Sequence, residues 1–352
     1  MRPDHLAAGA HGDAGPDLPE GMELRPLSAE EALQVPEVWN AAWREPNPYP
    51  LSAPLWQERL ASPHHDPELL LGAIADGEVL AYAHGKRPVS AWQPANLAWV
   101  SSFAVRRSFQ GRGIGTALVG ELLRELSKAS PAEVHFGSDA DHLLPGPPLD
   151  SPPATWRLLR RMGAAFSVCE LDLHLDLRAG LPAAPVPPGW RVREGDDEGA
   201  LAFVRATFPG RWAEELATYL RGGATVFTVE RDDSAEEPTS ARAKGFCVAF
   251  QGGEAVTSPG LHWAEALRRE YPGGRAAGMG PLGTAPDVRG LGLGLAMVRA
   301  AAQTLEERGS TDVIINWTTL GTFYGRLGAR VWRAYQRARA PGDRPPVSGG
   351  EG

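Results

Sequence analysis

The chain has 352 residues, of which 43% are hydrophobic, so its length fits two domains and its composition excludes wholesale disorder, collagen and coiled coil. Acidic residues outnumber basic ones by 43 to 35, which gives a net charge of −8 and argues against nucleic acid as the main partner. No run of about 18 apolar residues occurs and the first residues lack a signal-peptide pattern, so we expect a cytoplasmic protein without a membrane partner.

The first half of the chain combines strand and helix patterns. Residues 1–20 are rich in Gly, Pro and charge, which predicts a disordered tail. Apolar spacing and alternation then predict a domain over 21–177. It begins with a strand over 22–27, helical stretches over 29–43 and 55–60, strands over 69–75 and 79–84 and a third strand that ends near Val105. A glycine-rich turn, an amphipathic helix over 115–129, a strand over 133–136, a short helix and a final strand follow.

A proline-rich segment over 178–188 predicts a semi-rigid linker, because its prolines remove backbone donors and favour extended chain. The second domain is predicted over 189–340 and the second disordered tail over 341–352. This second half repeats the element order of the first, with a long helical stretch over 197–220 and an additional helix over 259–271.

An internal repeat supports this division. The segment Gln110-Gly111-Arg112-Gly113-Ile114-Gly115 matches Arg289-Gly290-Leu291-Gly292-Leu293-Gly294, and Arg161-Met162-Gly163-Ala164 matches Arg326-Leu327-Gly328-Ala329 in the same order. The first copy is longer between the two matches, which places an extended loop at residues 137–153. We therefore predict an α/β (α+β) protein of two tandem copies, each a mixed β-sheet flanked by helices.

The two cysteines, Cys169 and Cys247, both lie in apolar alternating stretches and are predicted to be small core residues. They form no metal-ligand spacing, and the crowded run His64-His65-Asp66 is typical of a loop, so we expect no metal site.

Each glycine-rich turn follows a strand and opens a helix. Backbone amides at a helix N-terminus bind phosphate oxygens, and glycine lets the backbone approach the ligand closely, so a diphosphate is the expected guest. The spacing G-x-G-x-G excludes both the nucleotide P-loop and the dinucleotide-binding fingerprint G-x-G-x-x-G.

Both turns instead match [Q/R]-x-x-G-x-[G/A], and on these residues the two halves resemble the GNAT superfamily of acyl-CoA N-acyltransferases, arranged in tandem. The resemblance implies acetyl-CoA or another acyl-CoA as cosubstrate, held by the turn and by the strand before it. The residues that carry this expectation in the first copy are Phe103, Val105, Gln110, Gly111, Arg112, Gly113, Ile114, Gly115 and Thr116. Those in the second copy are Leu282, Thr284, Arg289, Gly290, Leu291, Gly292, Leu293, Gly294 and Leu295.

The resemblance also implies a proton donor for the departing CoA thiolate. The segment Phe323-Tyr324-Gly325-Arg326-Leu327-Gly328 is similar to the family's F-Y-x-x-x-G motif, whose Tyr often has this role, so Tyr324 is the predicted catalytic residue. Leu159 stands at the matching position of the first copy and has no proton to donate, so we expect that copy to be weak or inactive in catalysis.

The general base is not identified by this comparison. The tandem layout is similar to that of mycothiol synthases, which have a Glu on the strand before the turn, but this chain has Trp99 and Gly278 there. The Asn that often contacts the cofactor seven residues before the Tyr is replaced by Trp317, with Asn316 one position earlier. Alternative bases are His262, Glu265, Glu270 and Asp287, while His135 and the run Asp139-Ala140-Asp141-His142 lie near the long loop and either face a ligand or belong to a polar loop.

Two functions remain open at this stage. The first is an N-acetyltransferase that acetylates an amine of a small-molecule acceptor, as a monomer or homodimer, without a metal. The second is a non-catalytic acyl-CoA-binding sensor or scaffold.

Overall fold

The computed structural model describes residues 21–233, 242–252, 258–264 and 274–342. Strands in the first half are β1 (Glu23–Pro26), β2 (Leu70–Ala75), β3 (Glu78–Lys86), β4 (Leu97–Val105), β5 (Glu133–Phe136) and β6 (Ala165–Asp176). Strands in the second half are β7 (Trp190–Glu194), β8 (Thr225–Arg231), β9 (Gly245–Gln251), β10 (Ala276–Thr284), β11 (Asp312–Thr318) and β12 (Arg330–Pro341). Both halves thus contain the predicted succession of strands, and the mixed sheet flanked by helices is confirmed.

Helices lie between these strands. In the first half they are α1 (Ala29–Ala32), α2 (Val35–Ala42), α3 (Ala53–Leu60), α4 (Ile114–Ser127) and α5 (Pro153–Arg161). In the second half they are α6 (Asp197–Thr207), α7 (Arg211–Arg221), α8 (Pro259–His262), α9 (Leu293–Glu307) and α10 (Gly321–Gly325). None of the helices in this described part of the chain has the length and apolarity that a membrane crossing needs.

Two long helical stretches predicted from apolar spacing are each broken in the structure. The stretch over 29–43 divides into α1 and α2, and Pro36 lies in the first turn of the second helix, where its missing N–H costs no intrahelical bond. The stretch over 197–220 divides at Pro209 and Gly210, and Gly210 adopts φ 114°, which a helix cannot contain. The prediction failed because periodicity continues across these short interruptions.

Within the described residues the twelve strands form one sheet, in the order β1-β2-β3-β4-β5-β12-β6-β11-β10-β9-β8-β7. The last strand of each half pairs with the other half, because β12 lies between β5 and β6, and β6 in turn pairs with β11. The repeat predicted two copies but gave no sign of this exchange. Strand pairing depends on contacts between distant segments, which the local pattern does not contain.

The sheet separates two layers of apolar side chains in the first half. In β3, Ala81 and Ala83 belong to the core under α4, whereas Tyr82 between them belongs to the core under α2 and α3. Successive side chains of a strand point to opposite faces, so this alternation places the two helix layers on opposite sides of the sheet. In the second half α9 packs on β8, β9 and β10 in the same way.

Both chain termini and three internal segments lie outside the described residues. The predicted tails are residues 1–20 and 341–352, and because residues 1–20 and 343–352 lie outside the described part, the prediction for them stays a prediction. Pro341, assigned to the tail from sequence, pairs with Glu133 at the end of β12. Of the additional helix predicted over 259–271, residues 259–262 are helical and residues 265–271 lie outside the described part.

The prediction for the two cysteines was half wrong. Cys247 is fully buried in β9, and burial raises the pKa of its thiol to about 12. Cys169 is exposed in β6, and its Sγ donates a hydrogen bond to Gln336 Oε1 at 3.3 Å. The error arose because Cys169 stands in the alternating stretch V-C-E-L, which is typical of a half-buried strand, yet the structure exposes residues 165–169.

Candidate active site

The two glycine-rich turns have the same backbone conformation. Gly111 and Gly113 adopt φ 81° and 82°, and Gly290 and Gly292 adopt φ 83° and 86°. This left-handed region is open to glycine at little cost, which explains why glycine stands at these positions. Each turn delivers the chain into the first turn of a long helix, α4 or α9, whose leading amides have no intrahelical partner. Each copy therefore presents the same cradle of backbone N–H groups to an anion.

A cavity of about 370 Å³ lies beside the turn of the first copy. It forms where two parallel strands separate: β4 pairs with β5 from Leu97 to Val100, and then continues to Val105 paired with β3 alone, so no strand covers its β5-facing edge there. Unpaired strand backbone and the helix N-terminus thus line one continuous space. A phosphate at the turn and an extended amide-containing chain along β4 would both find hydrogen-bonding groups there.

The structure brings together eight of the nine residues predicted for this copy, which all line the cavity: Phe103, Val105, Gln110, Gly111, Gly113, Ile114, Gly115 and Thr116. Arg112 is the exception, because its guanidinium lies over the Phe109 ring and its Nη2 donates to Ser108 O at 3.2 Å. Gln110 holds the turn in place, since its Nε2 donates to Val105 O at 2.9 Å and to Ala42 O at 3.1 Å.

The second copy repeats this frame with different side chains. β10 pairs with β11 as far as Met279 and Ile315. Beyond Met279 it pairs with β9 alone, with a register shift before Leu282, and Leu282 and Thr284 are both half-buried. Arg289 takes the place of Gln110 and its Nε lies 3.4 Å from Thr284 O. Gly290, Leu291 and Gly292 are exposed, whereas Leu293 and Leu295 bury their side chains and offer a ligand only main chain.

Tyr324 occupies the position of Leu159 in three dimensions as well as in sequence. Leu158 packs over Gly115 in the first copy, and Phe323 packs over Gly294 in the second. The next residue in each case is buried on the core side, and Leu159 lines the cavity of the first copy. Tyr324 is 5% exposed, and burial together with the nearby Cys247 thiol raises the pKa of its hydroxyl. The hydroxyl therefore stays protonated at neutral pH.

The alternative bases of the second half differ in exposure and in whether their basic atom already has a hydrogen-bond partner. His262 Nε2 accepts a hydrogen bond from the Ser52 backbone N–H at 3.2 Å, so its lone pair is already engaged. Asp287 is exposed in the short helix before the turn. Glu265 and Glu270 lie outside the described residues.

In the first half, His65 from the run at residues 64–66 lies next to His84 of β3. His65 Nδ1 lies 3.2 Å from Nε2 of His84, and burial lowers the pKa of both rings. Asp66 caps the helical turn that follows by accepting the Glu68 N–H. No group of three or more metal-ligating side chains occurs in the described portion of the chain.

The long loop of the first copy is mostly buried and is tied to the sheet by a buried ion pair. Asp139 Oδ2 lies 2.6 Å from Lys86 Nζ and accepts a hydrogen bond from Ser101 Oγ at 2.9 Å. Lys86 also donates to Ala140 O at 2.5 Å. His142, two residues further, is buried with its Nδ1 2.7 Å from Asp139 O. His135 lies apart from this group and is paired with Glu133 at 3.1 Å.

Sequence reasoning missed a buried polar group where the two halves meet. Asp172 is fully buried in β6 and accepts hydrogen bonds from Tyr335 Oη at 2.5 Å and Asn316 Nδ2 at 3.0 Å. Burial raises the pKa of its carboxyl. Asn316, predicted as a displaced cofactor ligand, is therefore occupied by Asp172 and by Ser258, whose Oγ donates to it at 2.9 Å. An Asp in an alternating strand gives no sequence signal of this environment.

Comparison with known proteins agrees with this geometry. Residues 34–136 match the family model described as "Acetyltransferase (GNAT) family". A mycothiol acetyltransferase of Actinosynnema mirum is 30% identical over 274 residues, which cover 74% of this chain and 80% of that protein. A mycothiol acetyltransferase of Salinispora arenicola is 27% identical over 298 residues, covering 80% and 85% respectively. The chain belongs to the GNAT family of acetyltransferases.

Solved GNAT structures show the same fold over nearly the whole chain. A GCN5-related N-acetyltransferase from Sphaerobacter thermophilus has a TM-score of 0.64 at 20% identity, covering 94% of this chain and 98% of that one. A tandem GNAT protein from the clavulanic acid biosynthesis pathway has a TM-score of 0.60 at 18% identity, covering 92% and 99%. The tandem GNAT architecture predicted from the internal repeat is thereby confirmed.

GNAT acetyltransferases take their acyl group from acetyl-CoA, and the residues of this chain fit that cosubstrate. The amides after Gly113 and Gly292 are placed for a diphosphate, and a Cβ added at Gly111 or Gly290 would meet nothing within 4 Å, so space for a ligand lies above each turn. The β5-facing edge of β4 beyond Val100 offers main-chain donors and acceptors to an amide-containing arm.

Proposed function

We propose that this GNAT protein transfers an acetyl group from acetyl-CoA to the primary amine of a small-molecule acceptor. The observation that carries the proposal is the pair of superimposable glycine turns, each opening a helix beside a strand that separates from its parallel neighbour. The names of the relatives support a small molecule as acceptor, and an amine of the mycothiol pathway is the first to test. We also propose the cytoplasm as its location, because acetyl-CoA is abundant there.

The two copies are proposed to differ in role, with domains at 21–177 and 189–340 joined by the linker at 178–188. In the first copy, Leu159 stands where the second copy has Tyr324, and leucine cannot protonate a thiolate. The described residues lining the first cavity include no carboxylate, histidine or tyrosine. The first copy is therefore proposed to bind acyl-CoA without rapid turnover, and the second to catalyse.

In the second copy the chemistry would depend on three groups of this chain. The amides of Leu293, Gly294 and Leu295 hold the diphosphate, and the main chain at Leu282 and Thr284 positions the acyl arm. Tyr324 is proposed to give its phenolic proton to the CoA thiolate as the amine displaces it. Its raised pKa keeps that proton in place at neutral pH, and a donor of higher pKa than a thiol needs close contact with the thiolate to transfer it.

The experiment is a direct assay with the full chain. Purified protein is incubated with acetyl-CoA and a panel of amino sugars and aminothiols that includes glucosamine and cysteamine, and both the acetylated amine and free CoA are quantified by chromatography. Enzyme-dependent formation of the two products in equal amounts supports the proposal. Absence of acetylated amine for every acceptor, with CoA release no faster than background hydrolysis, contradicts it.

A further inference from the structure

β10, the strand that leads to the second glycine turn, carries no titratable side chain, yet an acceptor amine enters a neutral-pH reaction largely as an ammonium ion and must lose a proton first. The place where that amine would meet the acyl group is the gap between β10 and β11. β11 pairs with β10 only as far as Ile315, and Trp317 follows two residues later with φ 52°. Ser138 has the matching place and a φ of 59° in the first copy.

His142, from the long loop of the first copy, lies against Trp317. The imidazole and indole rings are 4.0 Å apart between centroids at an interplanar angle of 35°. The loop reaches this position because it is longer than its counterpart in the second half and is fixed by the Lys86–Asp139 ion pair. A side chain of one half thus contacts the residue that lies just beyond the last β10–β11 pair of the other.

The hydrogen bonds of His142 leave one basic lone pair available. Nδ1 lies 2.7 Å from the Asp139 carbonyl oxygen, which only accepts, so Nδ1 carries the proton and Nε2 of the neutral ring does not. His142 is only 3% exposed, and its buried Nε2 has no hydrogen-bond partner among the described residues. Nε1 of Trp317, whose ring contacts that of His142, is likewise buried without a partner within the described ranges. A buried acceptor and a buried donor side by side are costly unless a polar ligand uses them.

We propose that His142 Nε2 is the general base of the second copy, supplied across the boundary between the two halves. This inference rests on the proposed acetyltransferase function. Nε2 takes a proton from the acceptor ammonium, the freed nitrogen lone pair forms the new C–N bond at the thioester carbon, and the C–S bond breaks. The nitrogen then loses its second proton, the CoA thiolate takes up one proton, and one proton is released overall. Trp317 Nε1 donates to an oxygen neighbouring the amine, so the acceptor class is a primary amine with an adjacent hydroxyl or carbonyl group.

The surroundings of His142 keep the ring neutral. Burial lowers its pKa well below the usual value, and positive charges on Arg211 in α7, Lys86 in β3 and Arg59 in α3 act in the same direction, opposed only by the Asp139 carbonyl. All three of these cations are paired with carboxylates: Lys86 with Asp139 at 2.6 Å, Arg211 with Glu215 at 2.5 Å and Arg59 with Glu58 at 3.1 Å. Pairing reduces their repulsion of an incoming ammonium, while the neutral ring retains a lone pair to accept its proton.

The test is the pH profile of kcat/KM for His142→Asn, with acetyl-CoA and whichever amine of the panel gives the highest wild-type rate. Asparagine keeps a side-chain N–H near the position of Nδ1, so it preserves the bond to Asp139 O, but it has no basic atom in place of Nε2. We expect kcat/KM at pH 7 to fall about 100-fold. The variant should depend on amine that is already neutral in solution, so its kcat/KM should rise about tenfold per pH unit up to the pKa of the acceptor and approach the wild-type value above it.

His135→Asn is the matched control, because His135 is also a histidine of the first half and is paired with Glu133 away from the gap. It should leave the wild-type profile unchanged, and thermal unfolding of both variants should match the wild type within a few degrees. His142→Gln provides a second variant if His142→Asn loses stability. A wild-type enzyme without turnover removes the proposed function and the inference with it. If the wild type turns over and the His142 variants keep its rate and pH profile, the inference about His142 is overturned while the proposed function stands.

Discussion

Gly113 and Gly292 adopt the same left-handed conformation immediately before the first turn of a long helix, with φ 82° and ψ −11° in one and φ 86° and ψ −4° in the other. Two positions 179 residues apart that share so specific a backbone geometry belong to duplicated units that kept one ligand-binding device. Substitutions at these two positions can therefore test ligand binding in each copy separately.

A negative charge in either turn should remove one acetyl-CoA site. We expect Gly292→Asp to weaken binding in the second copy, and Gly113→Asp in the first, enough to remove that site from a calorimetric titration, because a carboxylate near the diphosphate costs roughly 1–3 kcal/mol, or about 10–100-fold in affinity. Asparagine tolerates the left-handed region at least as well as aspartate and carries no charge, so Gly113→Asn and Gly292→Asn are matched controls. Calorimetry counts the sites. A wild-type stoichiometry of one that only Gly292→Asp abolishes would show that the cavity of the first copy is not a CoA site.

Removal of the Tyr324 hydroxyl should affect turnover and not cofactor binding. We expect Tyr324→Phe to lower kcat about 100-fold or more while the Kd for acetyl-CoA changes less than about twofold, since the phenyl ring fills the same buried space. The raised pKa of Tyr324 predicts no loss of kcat on the basic side up to about pH 9, where an ordinary tyrosine begins to ionise. Steady-state kinetics between pH 6 and about pH 9 check both points. An unchanged kcat would exclude Tyr324 as the proton donor.

How far the sequence predicts this site depends on the kind of residue. The glycine turns were found because their conformation requires glycine at a fixed spacing, and the structure places eight of the nine residues predicted for the first copy around one cavity. His142 and Asp172 show no such pattern. Their environments arise from strand exchange and from the long loop, which join residues more than 130 positions apart, such as His142 and Trp317 or Asp172 and Tyr335. Local patterns predict elements, and only the assembled sheet defines which buried polar groups meet.

The buried carboxyl of Asp172 should give the protein a measurable pH dependence of stability. Its folded pKa is raised above that of the unfolded chain, so its contribution to stability is fully present below the unfolded pKa of about 4 and is lost as the pH rises through the folded pKa. Asp172→Asn has no such titration. We therefore expect the free energy of unfolding of the wild type, relative to Asp172→Asn, to decrease between pH 4 and neutral pH in urea titrations. A difference that stays constant or increases with pH would contradict the raised pKa.

The two thiols should react very differently in the native protein. Cys169 is exposed, whereas Cys247 is fully buried and the pKa of its thiol is raised to about 12. We expect a disulfide reagent such as DTNB to modify one thiol per chain under native conditions and two after denaturation, because the thiolate is the reactive form. Cys169→Ser should abolish the native reaction and leave one thiol in denaturant, and Cys247→Ser should leave the native reaction intact. Rapid native modification of Cys247 would show that the core around Tyr324 opens.

Strand exchange predicts that neither half is stable alone. β12 supplies hydrogen bonds to both β5 and β6, and a fragment of residues 1–180 would leave the facing edges of those two strands without it. Unpaired buried backbone groups cost free energy comparable to lost hydrogen bonds, and this fragment loses a whole strand. We expect fragments 1–180 and 181–352 to be unfolded or aggregated separately and to form a 1:1 complex when co-expressed, as measured by circular dichroism and gel filtration. The full chain cut at a protease site inserted within the mostly exposed residues 183–186 is the matched control, since it has the same break but keeps both pieces in place. A 1–180 fragment that unfolds cooperatively at the midpoint of the intact protein would show that β12 contributes nothing to the first half.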